Sequence, residues 1–81
     1  MKETWIYRTG VQRWFLNGKR HRLDGPAEIW PDGSQRWYQN GDLHRPDGPA
    51  EIWDDGAQSW FLNGEHLTEA QHRERVQTRA A

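Results

Sequence analysis

The chain has 81 residues, six tryptophans, no cysteine and a formal net charge of −1. A chain of this length makes a single domain, 1–81, with neither disulfides nor thiolate chemistry. The near-neutral charge argues against general nucleic-acid binding, and a mean hydropathy of −1.20 without a long apolar run leaves no membrane-spanning helix.

The first 13 residues hold a partial unit. Ile6 to Arg13 aligns with residues 29–36, with Arg8-Thr9-Gly10 as its turn. The next stretch reads WFLNGKRHRLDGPAEIWPDGSQR from Trp14, and WYQNGDLHRPDGPAEIWDDGAQS follows from Trp37. These match at 15 of 23 positions without a gap. A third copy opens at Trp60 as WFLNGEHL and then departs. Residues 5–67 therefore read as tandem copies of a 23-residue unit.

Each unit is punctuated by three turns. Asn17-Gly18, Asn40-Gly41 and Asn63-Gly64 are two-residue hairpin signals, because both residues tolerate positive φ. Asp24-Gly25-Pro26 and Asp47-Gly48-Pro49 turn next, each proline opening the following strand, where a missing N–H does little harm. Pro31-Asp32-Gly33 and Asp54-Asp55-Gly56 suit a type I turn followed by a glycine bulge. Strands of roughly four to six residues remain between turns. The fold class expected is all-β, an antiparallel meander of tandem 23-residue β-hairpin repeats.

The bulged turn sets a register of Ile29 with Gln35 and Glu28 with Arg36. One face then carries Ala27, Ile29 and Trp37, and the other Glu28, Trp30, Arg36 and Tyr38, the alternation of a half-buried sheet. After Leu67, Thr68 and Gln71 have capping-box spacing. Residues 68–81 are read as a short C-terminal α-helix that caps the last hairpin. Glu69 and Arg79 suit its dipole, and Leu67, Ala70, Val76 and Ala80 form a thin apolar stripe.

The motif W-x-x-N-G-x-x-H-R-x-D-G-P-A is carried by Trp14, Asn17, Gly18, His21, Arg22, Asp24, Gly25, Pro26 and Ala27. It recurs from Trp37 to Ala50. It resembles the short aromatic hairpin repeats of bacterial and phage proteins, variants of the MORN repeat. The resemblance implies a sheet of stacked hairpins without enzymatic activity, and fits small phage proteins that neutralise host defence components, anti-CRISPR inhibitors among them.

Several residues are candidates for binding. Tyr7, Trp30 and Trp53 recur at the repeat period, and rungs roughly 10 Å apart over small Ser34 leave room for a flat ring, a sugar or a nucleobase. Alternatively these rings pack internally or form a protein interface. Arg22 and Arg45 offer forks for phosphate, or pair with Asp24 and Asp47 of their own turns while His21 and His44 pack beside the preceding tryptophan. Lys19, Arg20, His21 and Arg22 make a basic cluster found in the first copy only, with Arg8 and Arg13 near it. No histidine set has metal-ligand spacing, and no nucleophile–base constellation is present, so no metal, cofactor or catalytic residue is expected.

The expectation is a non-enzymatic, phage-type binding protein that neutralises a host protein through Trp30, Trp53, Tyr38 and the basic cluster. The alternatives are a nucleotide or sugar sponge and a structural assembly module. Open sheet edges near Trp5 suggest a homodimer or larger oligomer. The opening Met1-Lys2-Glu3-Thr4-Trp5 lacks the apolar stretch of a signal peptide, so a cytoplasmic location is expected, that of the host if the protein is phage-encoded.

Overall fold

The structure, a computed structural model, describes residues 2–80 and the side chains of 4–77. The strands are β1 (Lys2–Ile6), β2 (Gln12–Leu16), β3 (Lys19–Arg20), β4 (Glu28–Ile29), β5 (Gln35–Arg36), β6 (Tyr38–Gln39), β7 (Asp42–Leu43), β8 (Glu51–Ile52), β9 (Gln58–Leu62) and β10 (Glu65–Leu67); one helix, α1 (Glu69–Ala80), follows. Among the described residues, eight strands form an antiparallel sheet in the order β1-β2-β4-β5-β8-β9-β10, with β3 beside β2, while β6 and β7 pair separately. No helix among the described residues is long and apolar enough to cross a membrane.

The turns explain this order. In each Asn-Gly pair both residues have positive φ, such as 53° at Asn40 and 86° at Gly41, which joins two strands with no spare residue. At the other turn Gly33 has φ 94° and donates to Trp30 O, while Trp30 N donates to Ser34 O. Glu28 therefore stands opposite Arg36, and Ile29 opposite Gln35.

Most strands are shorter than the sequence suggested, six of them only two residues long. The cause is a crossing at each repeat-leading tryptophan. Trp37 N–H donates to Ala50 O on one side, and Trp37 C=O accepts from His44 N on the other. The chain so leaves one ladder at β5 and enters another at β6. The hairpin ends are stitched together by Arg22 N to Tyr38 O, Gly41 N to Arg20 O, Arg45 N to Phe61 O and Gly64 N to Leu43 O.

The molecule measures 41 × 32 × 17 Å, too thin for a thick apolar interior. The buried hydrophobic side chains are Val11, Ala27, Ala50, Leu62 and Leu67, mostly small. Among the described residues the largest fully buried side chain is Glu28, so the face read as polar is sealed at one point, while Ala27 and Ala50 are sealed on the apolar face. Ile29 and Trp37 are only half-buried, while Glu28 on the opposite face is sealed.

The capping box forms: Gln71 N donates to Thr68 Oγ1 at 3.1 Å and Thr68 N to Gln71 Oε1 at 2.9 Å. The expected apolar stripe docks α1 only in part: Leu67 is buried and Val76 is half-buried near Trp60. Ala70 is exposed, and the side chains of Arg79 and Ala80 lie outside those described. Among the described side chains of α1 the buried one is His72, whose Nε2 lies 2.6 Å from Arg45 O. A carbonyl only accepts, so Nε2 carries the proton in this contact. Arg75 adds a two-pronged pair to Glu65, which holds the Glu65 carboxyl below its ordinary range.

Candidate functional site

Two aromatic–arginine systems cover the sheet. The first lies in the Asp-Gly-Pro loops. The Arg22 guanidinium sits 4.2 Å from the Trp14 ring centre, donates to Asp24 Oδ1 at 3.1 Å and donates to Pro26 O at 3.1 Å. Arg45 repeats this on Trp37, Asp47 and Pro49 at 3.9, 3.0 and 3.0 Å. Glycine leaves room beneath each guanidinium: a Cβ at Gly25 would come within 2.9 Å of Arg22 Cζ and displace it. Both arginines are thus held inside their own loops.

The histidines of these loops serve the neighbouring copy. Asn40 N donates to His21 Nδ1 at 3.0 Å, and Asn63 N to His44 Nδ1 at 2.9 Å. The arginine stacks on the preceding indole, because a planar guanidinium matches its face, while His21 N and His44 N donate to the carbonyls of Trp14 and Trp37 beside them.

The second system centres on Glu28. Arg13 Nε donates to Glu28 Oε2 at 2.8 Å, Arg36 Nη1 to Oε1 at 3.0 Å, and the Trp30 indole N–H to Oε1 at 2.7 Å. Arg20 approaches Oε2 at 3.4 Å and also covers the Tyr38 ring at 5.3 Å. Burial raises the Glu28 pKa, but the hydrogen bonds from Trp30 and Arg13 and the charges of Arg20 and Arg13 outweigh it, so the carboxyl titrates below its ordinary range. The hydrogen bond to Glu28 in turn raises the Arg13 pKa.

From this hub an aromatic ladder extends. Arg13 lies 4.8 Å from the Tyr7 ring centre and 5.7 Å from that of Trp30, filling the space between those two rungs. Arg36 lies 4.8 Å from Trp53. A cleft of about 240 Å³ remains between Trp30 and Trp53, with Ser34 and Arg36 in its lining and Asp32 and Asp54 at its rim. Ser34 is buried there, as a small floor should be. The backbone hydrogen bond from Ser34 holds the Asp32 carboxyl below its ordinary range.

The structure therefore brings Tyr7, Trp30 and Trp53 onto one face but disperses the basic cluster. Arg20 turns toward Glu28 and Tyr38, Arg22 toward Trp14 and His21 toward Asn40, while Lys19 is exposed. Sequence reasoning missed the Glu28 hub. Its signal was present: Glu28, Trp30 and Arg36 share a face in the predicted register, and Arg13 precedes Arg36 by one repeat. Compared with family models, with curated proteins and with solved structures, the chain matches none.

Proposed function

We propose that this chain is a non-enzymatic binding protein, built from tandem 23-residue hairpin units, that occludes a protein partner with its aromatic–arginine face. The observation that carries this reading is the ladder from Tyr7 through Arg13, Trp30 and Arg36 to Trp53, which ends on a 38% exposed indole. Rings held rigid by stacked guanidiniums offer large contact area at low entropic cost, as interface anchors do. The resemblance to phage hairpin repeats points to a host defence protein as the partner. The edge strand β1, with Trp5 and Ile6 exposed, is the surface for self-association.

The cleft between Trp30 and Trp53 favours a second reading, a sugar held between rings. Its rim carboxylates, Asp32 and Asp54, suit hydroxyl donors and oppose a phosphate. Affinity capture from bacterial lysate, comparing the native chain with a Trp53→Ala variant of unchanged circular dichroism, separates the readings. Loss of a captured protein supports occlusion. Unchanged capture, or a bound sugar mass in native mass spectrometry, overturns it.

A further inference from the structure

We propose that Glu51, Trp53 and Ser59 form a socket for an arginine side chain supplied by the protein partner, an inference that rests on the protein-binding reading above. The template lies inside the chain. Glu28 is flanked across both neighbouring strands by arginines, Arg13 on β2 and Arg36 on β5. Glu51 occupies the same position one repeat later. Its partners in the same register are Arg36 on β5 and Ser59 on β9. Serine thus stands where the pattern calls for a second guanidinium.

Two consequences mark the vacancy. Among the described residues, Glu28 is reached by Arg13, Arg20 and Arg36, and its side chain is 1% exposed. Glu51 has Arg36 at 3.3 Å, and its side chain is 16% exposed. The second consequence concerns the ring. Arg13 covers the tyrosine six residues before it, Tyr7. The residue six before Ser59 is Trp53, and serine has no side chain long enough to cover it. Arg36 takes one face of Trp53, and the ring remains partly exposed. Helix α1 does not fill the gap, because His72 and Val76 approach Trp60, which alternates to the opposite face of β9.

The chemistry of the vacancy selects its occupant. A carboxylate beside an indole face takes a cation, and the nearby exposed Asp54 and Asp55 add to the attraction. A guanidinium is flat enough to stack on Trp53 and forked enough to engage Glu51 at once, which an ammonium is not. Arg13, bonded to Glu28 and lying between two rings, is the geometry the incoming side chain would copy.

The test is a proton–nitrogen NMR titration of the intact chain with an acetylated glycine–arginine–glycine amide, and with the matching lysine peptide as comparator. The arginine peptide is expected to shift the Trp53 indole N–H and the Ser59 amide, and the lysine peptide to bind about threefold or more weakly. Ser59→Arg, which fills the socket in cis, should abolish the shifts while keeping the dispersed spectrum. Glu51→Gln provides the same control with a smaller change of shape. Absence of shifts in the native chain, or equal shifts in both variants, overturns the proposal. Partner capture that depends on Trp53 without any arginine response removes the socket and leaves the protein-binding reading intact. An arginine response with capture insensitive to Trp53 does the reverse.

Discussion

Arg36 lies directly across the β4–β5 pair from Glu28 and donates to it at 3.0 Å. That contact closes a carboxylate hub in a sheet too thin to bury many large apolar side chains. Burying a charge is costly unless it is paired, and removing its compensation is costlier than never having placed it. Glu28→Gln leaves Arg13 and Arg20 without the carboxylate they reach and leaves Arg36 with Glu51 alone. It is expected to lower the unfolding free energy by about 3 kcal/mol. Glu51→Gln, more exposed and with one arginine at 3.3 Å, should cost less than about 1 kcal/mol. Urea unfolding of the two variants checks the ranking, and equal losses would show that the hub is not special.

Acid should act through the same carboxyl. The folded Glu28 pKa lies below its ordinary value of 4.5. Its ionised form is therefore favoured by folding, and the stabilisation is complete above that value. It is lost as pH falls from 4.5 through the depressed folded pKa. Thermal unfolding across the acid range should show a falling midpoint in the native chain and a flatter limb in Glu28→Gln. Equal slopes would assign the acid sensitivity to Asp32 and Glu65, whose pKa values are also lowered.

The loop arginines predict a coupled pair. A Cβ at Gly48 would sit 2.9 Å from Arg45 Cζ, so Gly48→Ala must push the guanidinium off Trp37. The expected cost is about 1 kcal/mol, with a change in tryptophan emission. In an Arg45→Ala background the clash has no target. A double-mutant cycle should return most of the Gly48→Ala cost as coupling, and additivity would place it in the backbone.

Helix α1 is expected to respond differently to its two anchors. Thr68→Ala removes a reciprocal cap, worth about 1 kcal/mol, and should speed amide exchange in the first turn. His72→Ala removes the contact to Arg45 O and should speed exchange along the whole helix. Protection that stays unchanged in His72→Ala would mean that Leu67 and Val76 are enough to hold the helix.

What the sequence determined by itself is local. Asn-Gly pairs, the Asp-Gly bulge, and Thr68 with Gln71 act over two to four residues, so the turns, the Glu28–Arg36 register and the helix start could be read from spacing. The tertiary structure decided the long-range pairings: Asn40 with His21, 19 residues apart, Arg13 with Glu28, 15 apart, and His72 with Arg45, 27 apart. It also decided burial. Alternation along a strand sorts side chains into two faces, but which face is sealed depends on what neighbouring strands lay across it. Here three guanidiniums and an indole converge on Glu28, and a carboxylate on the face that read as polar is buried as fully as Ala27 and Ala50 on the other.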